Sequence, residues 1–458
     1  LEFVQEETCS QPSLTPHFNL ETIQMDAVNA FLNSELPTPI YLQPPDGFRD
    51  PNMLLKCVRA LYGFKESPAL WWGDLSEGVE ELGLRQVVDC LYTDGKVMIF
   101  FFVDDIVLAF HHEHRVHAED IQKRLMAKYE MRVMGPIDYF CGIKIIRNRE
   151  TGDMWLNQDT YIKKVAGRYN VSLTEKRADT PLPMNFDQEP AKEKAKPHMI
   201  KEMQSKVGSL NFAASYTRPD IAFAVSLLAR HLVNPAEHHL KAADHCIRYL
   251  LQSSQLSVQY GKDDSRLTYL SQPLEFFGAS DASFADDPET RRSSEGMVFF
   301  LFGGIIDWKS TKQTMVTKSS TESELYALSH AGTEMIWWER VFKNIDLSLN
   351  SKGRLLCDNK QTIRVVTAQG QKLDTKMRHV DIQQCWLRER YQAGDLEVEW
   401  VETTSMPADG MTKLLSAQRH RAFLDQLRMT IPPDLGGEDC ADSKTSLPDL
   451  GGEGQANA

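Results

Sequence analysis

Between residues 20 and 175 short apolar runs alternate with stretches of helical periodicity, the pattern of an α+β region. The most apolar window, Val97 to Phe110, is interrupted by Asp104-Asp105. Phe100-Phe101-Phe102-Val103 and Ile106-Val107-Leu108 therefore read as two strands of a tight hairpin with two carboxylates at its tip. At about 14 residues, and with two acids inside it, the window is too short and too charged to span a bilayer. Residues 178–198 carry Pro181, Pro183, Pro190, Pro197 and an AKEKAK run and read as an exposed linker. From 199 to 255 the period is helical, with Val207, Leu210 and Ala214 on one face and a second helix over Ile221–His231.

Strands return at Leu274–Ala279, Gly296–Phe302 and Ile305–Lys309, followed by a long helix over Thr321–Lys343. PDLGGE occurs twice, at Pro433–Glu438 and Pro448–Glu453, in a glycine-rich acidic tail of disordered composition. The divisions expected are 1–178, 179–272, 273–430 and a tail over 431–458.

A composition of 42% hydrophobic and 25% charged residues is that of a folded globular chain. The net charge of −13 argues at first against an anionic partner, but it is unevenly spread. Residues 1–50 hold eight acids and one base, and residues 434–458 hold six acids and one base, so the stretch between them is close to neutral. Eight scattered cysteines without a CxxC pair fit reduced thiols and offer neither a zinc knuckle nor a disulfide framework. There is no signal-peptide pattern and Leu1 is not an initiator methionine, which suggests part of a longer chain.

Two sets of carboxylates carry the candidate chemistry. Asp26, in Gln24-Met25-Asp26-Ala27-Val28-Asn29-Ala30-Phe31-Leu32, follows an apolar strand, and with the hairpin pair Asp104-Asp105 it supplies what two divalent ions need for phosphoryl transfer. Beyond residue 273, Asp281 ends a strand, Glu324 lies in a helix opened by Ser319-Ser320-Thr321, Asp358 ends another strand and Asp409 begins a helix. Four acids so distributed can converge on two ions that activate a water.

These motifs resemble the reverse transcriptase of copia-type LTR retrotransposons from about His17 to Leu424. DAVNAFLN is similar to the family's DVxxAFLxG, and FVDD to its YVDD hairpin. Ala60–Trp71 is similar to ALYGLKQxPxxW and Gly135–Ile143 to LGPLxYFLGI, while Val207–Leu210 with Thr217–Ile221 matches VGSL…TRPDI. The resemblance implies a right-hand polymerase palm with partial fingers, a helical thumb-connection and a ribonuclease H-like mixed β-sheet with helices. It makes Asp26, Asp104 and Asp105 the polymerase metal site, with Asp26 and Asp104 the direct ligands. Phe31 becomes an aromatic gate against ribose, with a core aromatic as the other explanation, and Tyr62 and Gly63 the floor of the nucleotide pocket. Ser67 and Pro68 read as N-cap and first residue of the next helix.

The second constellation, with Trp308-Lys309-Ser310 and Arg378-His379-Val380-Asp381-Ile382, resembles the family's ribonuclease H domain, and Asp281, Glu324, Asp358 and Asp409 map onto its metal carboxylates. Glu324 is preferred over Glu322, whose first-turn position the helix dipole explains. His379 is a candidate for handling a proton.

The implied activities are RNA-directed DNA synthesis and hydrolysis of the RNA strand of hybrids. They would use two Mg2+ per site, with Mn2+ as a substitute. Implied partners are an RNA template, a DNA primer, RNA–DNA hybrid, dNTPs and the element's other Pol and Gag products, without a membrane. The implied setting is a cytoplasmic virus-like particle, with nuclear entry in an integration complex.

The chain departs from the family pattern in three places. It has no lysine or arginine in its first 48 residues, Phe102 replaces a tyrosine, and Cys385 stands where a second histidine is common. A missing basic fingers segment would weaken dNTP binding. The alternatives are then a fragment with only ribonuclease H activity or a decayed nucleic-acid-binding remnant. No protease DTG or DSG triplet and no integrase zinc motif occurs, as in a carboxy-terminal piece of a polyprotein.

Other features read as structural. The run His111-His112-Glu113-His114 begins an exposed helix, and Trp337 and Trp338 pack in a core. His238, His239 and His245 face solvent or nucleic acid, and Lys163, Lys164, Arg168, Lys176 and Arg177 meet phosphates or water.

Overall fold

The computed structural model describes residues 14–45, 47, 53–173, 176–261, 274–368 and 381–435, with 381–384 as backbone only. His379 and the acidic tail beyond Leu435 lie outside the described residues. Strand β1 (Glu21–Ala27) runs through a 3-10 turn at Ala30–Asn33 into a ribbon of β2 (Glu35–Leu42) and β3 (Leu55–Arg59). Helix α1 (Ser67–Glu80), β4 (Arg85–Val88), β5 (Leu91–Thr93), β6 (Val97–Phe102), β7 (Asp105–Phe110), α2 (Arg115–Lys128) and β8 (Met131–Gly135) follow. The strands make one antiparallel sheet in the order β4-β5-β6-β7-β1-β8.

Strand alternation gives this sheet two different faces. Met25, Ala27, Ile99, Phe101, Ile106 and Leu108 are buried with Trp71, Leu75 and Val79 of α1 and Ile121 and Leu125 of α2. Gln24, Asp26, Asp105 and Val107 occupy the alternate positions, so the carboxylates lie on the face without these helices. Ser67 is one residue inside α1 rather than its N-cap. Its hydroxyl donates to the Leu61 carbonyl at 2.6 Å, and Glu66 takes the cap position.

Strands β9 (Tyr139–Phe140), β10 (Ile143–Asn148) and β11 (Asp153–Asn157) precede α3 (Asp159–Arg168). Helices α4 (Pro197–Tyr216), α5 (Ala222–Ala229) and α6 (Glu237–Gln252) then form the helical segment, with Met203, Val207, Leu210 and Ala214 buried at the expected spacing. The stretch expected as an exposed linker is docked at its start. Ala178 and Leu182 are buried in this helical core, and the Ala178 amide donates to Gln252 Oε1 at 2.8 Å. The reason is that Ala178 and Leu182 give a proline-rich stretch apolar anchors.

Beyond β12 (Ser257–Tyr260), strands β13 (Phe276–Ser283), β14 (Ser294–Leu301) and β15 (Gly304–Lys312) make a meander. They are followed by α7 (Ser320–Asn344), β16 (Arg354–Cys357), α8 (Lys360–Thr367), α9 (Asp381–Ala393), β17 (Glu397–Trp400), α10 (Ala417–Gln426) and β18 (Met429–Thr430). The order β15-β14-β13-β16-β17, antiparallel through β13 and parallel beyond it, is the mixed sheet of a ribonuclease H-like fold. Phe276, Phe299 and Leu301 pack on Leu328, Met335 and Trp338 of α7, so Trp338 is core, as expected. Phe277, Val298 and Phe300 face Met411 and Phe423 on the other side.

A third sheet, β18-β12-β11-β10-β9, takes strands from the first, middle and last thirds of the chain. The whole is α+β: an antiparallel palm-type sheet with helices on one face, a helical segment, and the ribonuclease H-like sheet.

Candidate active sites

At the hairpin tip Val103 has φ +56°, a left-handed conformation unfavourable for a β-branched residue. Two contacts hold it there. The Trp71 indole Nε1–H donates to the Val103 carbonyl at 2.5 Å, and the Ala27 amide donates to the Asp104 carbonyl at 2.8 Å. Asp105 stands directly across from Asp26 in the β1–β7 register. Burial lifts the Asp105 carboxyl above the usual range, and the charges of Asp104 and Asp26 add to it. Its Oδ1 accepts from Gln24 Nε2 at 3.3 Å, and Gln24 also donates to the Tyr139 carbonyl at 2.7 Å. Gln24 was not anticipated, although its place two residues before Asp26 on the same strand face was a usable signal. Asp105 is thus engaged by a neighbour.

Burial raises the Tyr62 phenol above its ordinary value, with Asp104 and Asp26 adding to the effect, so the ring lies within the field of both acids. Phe31 is 7% exposed and packs on Tyr62 with ring centroids 4.5 Å apart, so Tyr62, 57% exposed, presents the open aromatic surface of the pair. Gly63 has φ +100° and a Cβ there would meet nothing, so backbone conformation is what calls for glycine.

The second centre is tighter. Asp281, Glu324 and Asp358 come from β13, α7 and the end of β16, and each offers an oxygen that lies within 4.8 Å of the others. Burial first, then Asp281 and Asp358, pushes the Glu324 carboxyl up to about 9. Burial also raises Asp281 to about 6, against the pull of Lys413 and Thr412. Glu324 Oε2 is buried without a hydrogen-bond partner among the described residues. Converging hard oxygen donors with a stranded oxygen fit a divalent cation, which would remove the cost of crowding these charges.

Glu322 has another task. Its Oε2 accepts from the Lys318 amide at 2.7 Å while Ser319 caps its own amide, so it closes the start of α7.

Asp409 is not in the close trio. Lys413 Nζ bonds Asp409 Oδ1 and lies 3.3 Å from Asp281 Oδ2, and Arg419 Nη2 donates to Asp409 Oδ2 at 2.9 Å. Burial works against the Lys413 charge, but Asp281 and Asp409 hold it above the usual lysine range. The Thr412 hydroxyl donates to Asp281, and Thr403 Oγ1 donates to Asp358 Oδ2 at 2.8 Å. Thr403, Thr412, Lys413 and Arg419 were missed in sequence; PADGMTK placed Thr412 and Lys413 one turn after Asp409, which was the available signal.

His111, His112 and Glu113 also bring ligand atoms within 4.8 Å of one another, but on an exposed 3-10 turn of adjacent residues. His239 does not face solvent. It is buried and stacked on His231 at 3.6 Å, because its Nδ1 accepts the Ala236 amide that opens α6. His245 is turned inward too, 3.0 Å from the Thr180 carbonyl. Lys164 and Arg168 line a groove of about 510 Å3 that Tyr139 also borders, whereas Lys163 and Arg177 pair with Asp159 and Asp179.

Comparison with known proteins places the chain in a family. The reverse transcriptase (RNA-dependent DNA polymerase) family matches residues 14–184. The chain is 31% identical over 323 residues to the transposon Ty5-1 protein YCL074W of Saccharomyces cerevisiae, covering 68% of this chain and 100% of that protein. It is 30% identical over 419 residues to the retrovirus-related Pol polyprotein from transposon TNT 1-94 of Nicotiana tabacum, covering 88% of this chain. It spans only 30% of the length of that polyprotein. Among solved structures, the foamy viral protease-reverse transcriptase in complex with RNA/DNA hybrid aligns over 84% of this chain and 44% of that chain, with a TM-score of 0.44 and 15% identity. The chain belongs to the reverse transcriptase–ribonuclease H region of copia-type retrotransposon Pol polyproteins.

Proposed function

We propose that the chain carries two phosphoryl-transfer centres, a polymerase centre at Asp26, Asp104 and Asp105 and a ribonuclease H centre at Asp281, Glu324, Asp358 and Asp409. The observation that carries this reading is the convergence of Asp281, Glu324 and Asp358 from three separate elements, with ligand oxygens within 4.8 Å of one another. Mg2+, or Mn2+ in its place, would supply charge neutralisation and an activated oxygen nucleophile at each centre.

The chain's own residues do the rest. In the nuclease centre, Glu324, Asp281 and Asp358 hold the reacting groups on a rigid strand-and-helix frame, and Thr403 and Thr412 fix two of those carboxylates by hydrogen bonds. Lys413 places a positive charge beside Asp281, where the charge on a scissile phosphate would develop. Hydrolysis of the RNA strand of a hybrid is the reaction this arrangement serves. In the polymerase centre, Asp26 and Asp104 offer carboxylates beside Asp105, which is held by Gln24, and the exposed Tyr62 ring offers a surface for an incoming dNTP.

The natural substrates are then an RNA template with a DNA primer, and the product hybrid. The setting is a virus-like particle that holds the other Gag and Pol products and delivers DNA for integration.

A second reading, nuclease chemistry alone, is favoured by one contrast. Three nuclease carboxylates, Asp281, Glu324 and Asp358, close to within 4.8 Å, and no such grouping of Asp26, Asp104 and Asp105 occurs among the described residues. Primer extension by the purified chain separates the two: extension abolished by Asp104→Asn supports both centres, and no extension beside active hybrid cleavage supports the second.

A further inference from the structure

Asp409 reaches the nuclease centre from a 3-10 turn, Asp409–Met411, that helix α10 contacts at two residues. Arg419 of α10 donates to Asp409 Oδ2 at 2.9 Å. One residue further along, Gly410 lies flat on the Phe423 ring of the same helix, where a Cβ would come within 2.5 Å of the ring edge. What ties α10 to the helical segment is buried beside Phe423, where the His420 ring lies 6.2 Å from the Phe423 ring. His420 Nε2 is 2.7 Å from Tyr249 Oη, and Tyr249 donates to Asp220 Oδ2 at 2.6 Å. Asp220 takes the Arg218 guanidinium through two bonds of 2.8 and 2.7 Å, with both side chains fully buried.

Since the single Tyr249 proton goes to the carboxylate, the network assigns the shared proton to His420, whose Nε2–H donates to the Tyr249 oxygen. Burial pushes the His420 imidazole below its ordinary range, against the pull of Asp220. A buried ion pair contributes little net stability against its desolvation, but it fixes one arrangement of the groups around it.

We propose that Tyr249 and His420 are positioning residues for the nuclease centre. Their contact carries the register of the helical segment through α10, by way of Arg419 and Phe423, to the Asp409 turn. The inference rests on Asp409 serving that centre. It gives the Arg218-Pro219-Asp220 motif and its helices a task in hybrid hydrolysis, although these residues lie in elements outside the nuclease sheet.

The test uses the full chain with Asp26→Asn and Asp104→Asn, so that one metal centre remains. Mn2+ binding is read by electron paramagnetic resonance, alongside the Mn2+ dependence of hybrid cleavage. Tyr249→Phe and His420→Ala should each weaken Mn2+ binding and raise the half-saturating Mn2+ by about ten-fold, as loss of an outer-shell partner does. His420→Gln, which restores a donor near the Nε2 position, should recover most of the binding. Lys206→Met removes a comparably buried polar side chain, paired with Glu202 and Asp244 in the same helical segment, and should leave Mn2+ binding unchanged.

The proposal is overturned if Asp281→Asn abolishes Mn2+ binding while Tyr249→Phe and His420→Ala leave it intact, or if Lys206→Met shifts it as far as they do. If Asp281→Asn itself leaves Mn2+ binding unchanged, the assignment of the centre fails and the positioning role falls with it.

Discussion

The indole of Trp71 donates to the carbonyl of Val103, so a helix from one motif holds the strained residue at the tip of another. This joins Ala60–Trp71 to the FVDD hairpin physically. Replacing Trp71 with Phe keeps most of the apolar body and removes the donor, which should cost about 1–3 kcal/mol because the Val103 carbonyl loses its partner. Denaturant unfolding gives the stability change. Primer extension should fall while hybrid cleavage, which depends on another sheet, is retained; equal loss of both would show that the contact is not specific to the hairpin.

Glu324 gives the metal-free protein a characteristic pH dependence. Its carboxyl is raised from 4.5 to about 9, so across that window the folded state keeps a proton that the unfolded chain has released. The unfolded state then binds fewer protons, and stability must fall as pH rises through the window. Thermal melts in chelator should show the wild type losing more stability than Glu324→Gln between about pH 5 and pH 9. Parallel curves would refute the raised value.

The same proton must leave when a cation binds. Near neutral pH Glu324 is protonated and Asp281, raised only to about 6, is mostly ionised, so roughly one proton should be released per centre filled. Calorimetry of Mg2+ binding in buffers of different ionisation enthalpy measures that number. No release, together with Mg2+ binding that Asp281→Asn abolishes, would mean that Glu324 is already ionised.

Gly296 stands opposite Asp281 in the β13–β14 pair, and a Cβ there would press into Met411, the last residue of the Asp409–Met411 turn. Gly296→Ala should displace that turn, cost about 1–3 kcal/mol and reduce hybrid cleavage more than primer extension. Cleavage at the wild-type rate would show that the turn's position is not critical.

The strands and long helix of the ribonuclease H-like region were legible because apolar runs bounded by polar residues leave little ambiguity. β14 and α7 lie within two residues of expectation. Asp281, Glu324 and Asp358 were legible for a related reason, each sitting at the end of a strand or the start of a helix. The contact of Arg419 with Asp409 was not, because Arg419 reaches it only once α10 has packed against α6.

Pairing of β12 with β18 was equally hidden. Two strands of four and two residues, about 170 positions apart, leave no periodic trace. The inward turn of His239 and His245 shows a further limit: on a helix of mixed polarity, a histidine that satisfies a nearby backbone group can be buried where solvent was expected.

Cleavage of the RNA strand of a labelled RNA–DNA hybrid by the purified chain in Mg2+, wild type beside Glu324→Gln, tests the central claim most directly. The account predicts cleavage by the wild type, its loss in chelator, and a fall of at least about 100-fold in Glu324→Gln without unfolding. Cleavage that survives Glu324→Gln, or a folded wild type that leaves the hybrid intact in Mg2+, would contradict it.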